Sequence, residues 1–232
     1  VPVIVSENRK VGIQELQDNG SVDIIILDDA FQHRTVERGT DIITISAYDR
    51  ENDYHLIPWG KLREPIQNIK RAECVIYTKT RQYENPPIHK KLIPYLNNPP
   101  IASIMEPVLM KIDETGYNKS RPTNELVFAF CGIGNPNSFI QTVKEVGLTI
   151  GGKRIFKDHQ IYDATIIQDL YAQVKSGHFN STVTTEKDMV KIPETFMKEF
   201  IFYVIKIYVV FENDSDIIDL IKPIFLPAAE DS

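Results

Sequence analysis

The stretch Val22-Asp23-Ile24-Ile25-Ile26-Leu27-Asp28-Asp29-Ala30-Phe31-Gln32-His33 decides the reading of the fold. Residues 24–27 form a continuous apolar run with three β-branched side chains, too short for a helix. That is how a strand buried on both faces of a parallel sheet reads. Two carboxylates follow at once, then a small residue, an aromatic, an amide and an imidazole. Ligands of open parallel sheets collect beyond the carboxyl ends of the strands, which puts Asp28 and Asp29 at the mouth of a candidate site. The plainer alternative is a strand that ends in an acidic turn.

Working outward, residues 1–5 read as a short strand and residues 11–19 as a helix closed by Gly20. The Asp-bearing run follows, and residues 41–46 fit the next strand. Strand, helix and strand with short links is the pattern of a parallel α/β sheet. An apolar strand that ends in Asp is also how P-loop nucleotide hydrolases and kinases hold Mg²⁺. Leu56-Ile57-Pro58-Trp59-Gly60-Lys61-Leu62-Arg63-Glu64-Pro65 is dense in Pro and Gly and reads as a shaped loop. It carries the one Trp of the chain beside an Arg and a Glu. A surface ion pair is the alternative use of those two charges, contributing about 1 kcal/mol or less. Residues 66–72 read as a helix leading into a strand at 74–79.

Between residues 82 and 100 the composition shifts to Pro-Pro pairs, Asn and Lys. Residues 101–112 regain an extended character, and 113–124 are polar and rich in turn formers. The expected organisation is a first lobe over 1–100, an extended linker over 101–124 and a smaller α/β lobe over 125–232. That lobe opens on the apolar run 125–131, followed by Gly132-Ile133-Gly134-Asn135-Pro136 and a helix over 138–146. The turn lacks the third glycine of a dinucleotide fingerprint, and Pro136 suits a first helical turn. Asp158-His159 precedes a helix over 164–175, where the His is either a general base or a neighbour of the cap. Residues 181–188 read as a strand that runs into a polar turn, 202–211 as the last strand and 216–221 as a closing helix.

The 232 residues suffice for a sizeable core, and 42% hydrophobic with 25% charged residues is ordinary for a globular chain. A net charge of −6 and a pI near 5.4 argue against non-specific nucleic-acid binding, which needs clustered positive charge. Cys74 and Cys131 stand far apart in apolar runs, as buried free thiols do. No stretch approaches the roughly 20 apolar residues of a membrane span. The chain begins at Val1 inside what reads as a strand, so a piece of a longer protein is expected.

Four segments, in order and at suitable spacing, together resemble one family: tetraacyldisaccharide 4'-kinase, the lipid A 4'-kinase. They are Asp28-Asp29-Ala30-Phe31-Gln32-His33, Pro58-Trp59-Gly60-Lys61-Leu62-Arg63-Glu64-Pro65, Gly132-Ile133-Gly134-Asn135-Pro136 and Thr184-Thr185-Glu186-Lys187-Asp188. Asp158-His159 lies between the last two. The resemblance runs essentially from end to end. It implies an α/β fold with a truncated P-loop (RecA-like) parallel-sheet lobe and a smaller C-terminal α/β lobe. It also implies transfer of the ATP γ-phosphate to the 4'-hydroxyl of a lipid-linked disaccharide 1-phosphate, with Mg²⁺ as cofactor. The expected place is the cytoplasmic face of the bacterial inner membrane, with peripheral contact through an amino-terminal segment upstream of Val1. By the same resemblance Asp28 looks like the carboxylate serving Mg²⁺, and Asp29 is its neighbour in the site. Gln32, His33 and Glu64 belong with the bound nucleotide, and Arg63 with its phosphates, which a guanidinium holds bidentately. His159 matches the family's His that, with an Asp, activates the sugar hydroxyl. A sugar hydroxyl is a poor nucleophile at neutral pH, and an oriented His can take its proton in the transition state.

Two small departures are Ala30, where many members have Gly, and Gln160, where many have a second His. A larger one is that no Gly-x-x-x-x-Gly-Lys-Ser/Thr stands in these residues. The dyad Asp is expected upstream of Val1 as well, so the chain by itself is expected to be inert. The rival from another class is a non-catalytic lipid- or partner-binding module on the same scaffold. A third reading, a metal-dependent phosphohydrolase on Asp28, Asp29 and His33, lacks the further carboxylate or His ligands it would need. An apolar sheet edge near the first strands would make the chain poorly soluble.

Overall fold

In the computed structural model, which describes residues 1–20, 22–78, 88–121 and 124–225, most of the β-branched runs become strands. Two compact units result: Val1–Met105 with the chain from Val209 on, and Glu106–Tyr208. The expected boundaries fall elsewhere. Within the linker expected over 101–124, the run read as extended, 101–112, is part of one continuous strand, Ile101–Asp113. The expected last lobe also gives up its residues from Val209 on to the first unit.

In the first unit, helix α1 (Arg9–Asp18) starts at Asn8, whose side chain accepts from the Lys10 N–H. Strands β1 (Ile42–Ser46) and β2 (Cys74–Thr78) pair in parallel, with Ile42 opposite Cys74 and Ser46 opposite Thr78. β2 then pairs in parallel with β3 (Ile101–Asp113) at Ile76–Ile101 and Tyr77–Ala102. Ile45, Tyr54, Ile69, Val75, Tyr77 and Leu92 form the core beneath them. The expected helix at 66–72 is a six-residue 3-10 turn, Ile66–Arg71, entered through Pro65 and ended where Ala72 turns extended for β2. Lys79, the last residue of the strand expected at 74–79, lies outside the described residues.

The acidic stretch is the main correction in this unit. Residues 24–27 are extended but belong to no strand, and Ile26 is 89% exposed. The expected strand at 1–5 is likewise absent, and Val1, Val3 and Val5 are exposed. A strand exists only through its ladder to a neighbour. Among the described residues the sheet ends at β1 on that side, so the apolar run finds no partner.

In the second unit the strand order is β3-β8-β7-β5-β6, formed with β5 (Leu126–Cys131), β6 (Thr149–Ile155), β7 (Ser181–Thr185) and β8 (Ile201–Phe211). The β5–β6, β5–β7 and β7–β8 pairs are all parallel. β4 (Gly116–Lys119) forms an antiparallel hairpin with the end of β3. Alternation along β5 sends Val127, Ala129 and Cys131 to one face, where α2 (Pro136–Glu145) lays down Phe139 and Val143. Phe128 and Phe130 point to the other face, against Leu170 and Val174 of α3 (Ala164–Ser176). The chain leaves β5 for β6 on one side and comes back to β7 on the other. That reversal lies at the carboxyl ends of β5 and β7, the kind of place where ligands of such sheets bind.

Phe130 is fully buried and meets Tyr162, Phe196 and Phe202 edge to face at centroid distances of 6.1–6.3 Å. Truncation there leaves a cavity with three aromatic walls. Phe130→Ala is expected to lower the stability of the second unit by about 3–5 kcal/mol, read as a drop in the urea midpoint. A loss under about 1 kcal/mol would show that this face is not packed as described.

Candidate functional site

In the first unit Asp28 and Asp29 form an exposed turn, and Asp29 sits in the left-handed region at φ 49°. Asp is one of the few residues that tolerates that conformation. The segment after the turn is clamped from beneath. Arg38 donates from Nη1 to the carbonyls of Ala30 (3.0 Å) and His33 (2.6 Å), and is itself tied to Asp41. Gln32 and His33 are half-buried beside it. The Arg71 guanidinium lies 4.1 Å over the Phe31 ring.

The loop expected to be shaped is folded back on itself. Gly60 is needed there, since a Cβ would stand 2.3 Å from the His55 carbonyl oxygen and 2.6 Å from that of Asn52. Lys61 reaches Asp49 at 2.9 Å and Asp53 at 3.0 Å, and these carboxylates raise its pKa. The loop then presents its two candidate residues in different ways. Arg63 donates from Nη1 to Asp29 Oδ2 at 2.6 Å, with both side chains more than half exposed. Glu64 turns inward and accepts from Asn68 (2.6 Å) and from Arg71 Nη2 (2.9 and 2.8 Å). Its carboxylate therefore steadies Arg71 and, through it, Phe31. The structure thus brings Asp29 and Arg63 together across 34 residues. It gives Glu64 a holding task that its sequence position did not reveal.

The candidate residues of the second unit gather at the carboxyl ends of β5 and β7. Asp188 is fully buried there. Its Oδ2 accepts from the Gly132 N–H (2.8 Å) and the Thr185 hydroxyl (2.8 Å), while the Thr185 oxygen accepts from the Asp188 N–H (3.1 Å). Lys191 supplies counter-charge 3.8 Å from Oδ1 and donates to the Gln160 carbonyl at 3.2 Å. Gly132 has little room for a side chain, because a Cβ would lie 3.0 Å from the Lys157 carbonyl oxygen and from Gln160 Cβ. Three loops therefore meet around one carboxylate.

On their outer side stands His159, its side chain 79% exposed and its backbone at φ 58°. Asp158 is held well ionised, first by the Lys187 ammonium and then, against a small desolvation cost, by the His159 N–H. Lys187, Asp188 and Lys191 were not among the expected site residues. Thr185-x-x-Asp188 has the spacing of a capping box, and that signal was available in the sequence.

Among the described residues no group of three or more His, Cys, Asp or Glu side chains is placed to hold a metal ion. Mg²⁺ asks for less, since it is commonly held by one or two carboxylates together with substrate phosphates. Exposed Asp28 fits that modest requirement.

A family model described as tetraacyldisaccharide-1-P 4'-kinase (LpxK) matches residues 1–225. The chain is 32% identical over 197 residues to the tetraacyldisaccharide 4'-kinase of Chlorobaculum parvum, covering 83% of this chain and 54% of that protein. It is 33% identical over 198 residues to the one from Chlorobaculum tepidum, covering 83% and 55%. For that of Halothermothrix orenii the identity is 30% over 224 residues, covering 90% and 58%. The chain thus spans about half the length of the curated relatives it matches. A crystal structure of LpxK from Aquifex aeolicus in complex with ATP superposes with a TM-score of 0.59 at 23% identity, covering 85% of this chain and 56% of that one. That likeness shows the α/β fold.

Cys131 reports on the end of β5. Burial, then the nearby Asp188 charge, push its thiol from an ordinary 9.0 up to about 11. The folded state therefore favours the protonated thiol. Its contribution to stability is complete below pH 9 and lost as pH rises towards 11. The urea midpoint is expected to fall across that window, and to fall less in Cys131→Ala. Identical pH profiles for the two proteins would contradict the placement of Cys131.

Proposed function

The chain belongs to the tetraacyldisaccharide-1-P 4'-kinase family, and from that premise we propose that its protein transfers the γ-phosphate of ATP to the 4'-hydroxyl of a tetraacyldisaccharide 1-phosphate in lipid A synthesis. The observation that carries the reading is the family match over residues 1–225; it is supported by an acidic turn paired with an Arg in the first unit and by an exposed His in the second. Phosphoryl transfer depends on placing charge around the phosphate and on orienting the nucleophile. Arg63 suits the phosphate. One of its five N–H donors goes to Asp29, which leaves donors for phosphate oxygens. Asp28 would hold Mg²⁺, which when bound neutralises charge on the nucleotide phosphates. Asp29, besides fixing Arg63, adds a second carboxylate to that turn. Gln32 and His33 line the same segment and are assigned to the nucleotide, with Glu64 holding the segment in place through Arg71. His159 accepts the proton of the 4'-hydroxyl as the oxygen attacks, a task suited to an exposed imidazole beside a carboxylate.

A substrate with four acyl chains stays in a bilayer, and ATP is cytosolic, so the reaction belongs at the cytoplasmic face of the inner membrane. Among the described residues no helix is long and apolar enough to cross a membrane. Holding a β-phosphate calls for a glycine-rich backbone cradle with a Lys and a Ser or Thr. No Gly-x-x-x-x-Gly-Lys-Ser/Thr stands in these 232 residues, so the chain assayed by itself is expected to leave ATP untouched. That feature also favours the second reading, a non-catalytic lipid-binding module.

The two readings separate on transfer of radiolabelled γ-phosphate from ATP to tetraacyldisaccharide 1-phosphate by the whole gene product. Transfer is expected, with a loss of at least about a hundredfold in each of Asp28→Ala and His159→Ala. Lipid binding without transfer would select the module. Full activity in both variants would remove the site assignment.

A further inference from the structure

Asp158 stands between two basic side chains at the carboxyl ends of β6 and β7. Its Oδ1 accepts from the Lys187 ammonium at 3.1 Å and from the His159 N–H at 2.9 Å. Its Oδ2 lies 3.9 Å from His159 Nε2, too long for a hydrogen bond but close enough for charge to act. We propose that Lys187 is a positioning residue for His159, holding the Asp158 carboxylate that fixes the backbone turn and sets the charge beside the imidazole. The proposal rests on the reading of His159 as the proton acceptor.

Each link has a physical reason. His159 lies in the left-handed region, which a non-glycine residue keeps only when its surroundings hold it there. The Asp158 oxygen on its N–H provides that hold. A lone exposed carboxylate would sample other rotamers, and the ammonium restrains it. Lys187 is in turn placed by its own turn, because Thr185 and Asp188 cap each other on either side of it. The other charges about this loop are Lys157, Lys191 and buried Asp188. Lys191 is directed at the Gln160 carbonyl and at Asp188, not at the imidazole. Lys187 and Asp158 are each nearly half exposed, and exposed ion pairs contribute little to stability. Nothing in the fold therefore requires this pair, which makes its removal a clean test.

The test uses the whole gene product and the variants Lys187→Met, Lys187→Arg, Asp158→Asn and the double variant Asp158→Asn/Lys187→Met. Two quantities are measured: steady-state transfer to tetraacyldisaccharide 1-phosphate, and the His159 titration by NMR without substrate. Lys187→Met is expected to lower kcat about tenfold with both KM values little changed, and Lys187→Arg to restore most of it. The double variant should be no slower than Asp158→Asn, because the lysine acts through that carboxylate. The His159 titration should move in Lys187→Met and stay in place in Lys187→Arg, since the lysine charge acts on the imidazole through the Asp158 carboxylate.

A raised KM for the disaccharide phosphate at unchanged kcat would instead make Lys187 a substrate ligand and overturn the proposal. Multiplicative losses in the double variant, or an unmoved midpoint, would overturn it as well. Failure of the base reading looks different: His159→Gln would be as fast as the parent protein, and the substrate-free titration would still decide what Lys187 does to the imidazole.

Discussion

A carboxylate taken fully out of water needs hydrogen bonds and opposite charge around it, and Asp188 has two hydrogen bonds on Oδ2 and the Lys191 charge 3.8 Å from Oδ1. The Gly132 N–H comes from the end of β5, the Thr185 hydroxyl from the end of β7, and Lys191 supplies the opposite charge. These partners lie up to 56 residues apart in the chain, so the contact welds two loops that local sequence leaves independent. The reversal of strand order is a fixed place for that reason. Asp158 and His159 lie on a loop, and Lys187 on a short helix, whose inner sides are tied to it.

The first unit follows the same logic with different groups. The candidate residues stand on exposed loops, and the loops are held from within by half-buried charge. Glu64 and Arg71 form a half-buried pair beneath Phe31, and Arg38 gathers the carbonyls of Ala30 and His33. The outward-facing pair, Asp29 with Arg63, is exposed and contributes little to the fold. Residues that hold the loops are thereby kept apart from the exposed candidates Asp29 and Arg63. A side chain free of structural duty can be given over to substrate.

Strands that report their own character locally were legible. The runs that became β1, β2, β5, β7 and β8 are rich in β-branched or aromatic residues, and each strand begins within a residue or so of its expected place. Residues 24–27 carry the same signal and form no strand, because apolar character records a tendency to be buried and says nothing of whether a neighbouring edge is available. Sheet order was hidden for a related reason: β7 returns to the far side of β5, and no window of the sequence contains both strands. Asp29 and Arg63 were both singled out, but their contact was not. Asp188 was read as part of a polar turn because charged residues usually mark the surface. The Thr-x-x-Asp spacing hinted otherwise, as did the place of residues 184–188 among the segments that carry the family resemblance.

The central claim, that buried Asp188 joins the ends of β5 and β7, is tested most directly by hydrogen exchange at the Gly132 amide. A donor locked onto a buried carboxylate exchanges only when the unit opens. The Gly132 N–H should therefore be as slow as the amides within β5. Exchange at the rate of an exposed turn amide would mean that no such bond is made, and the account of this site would fall with it.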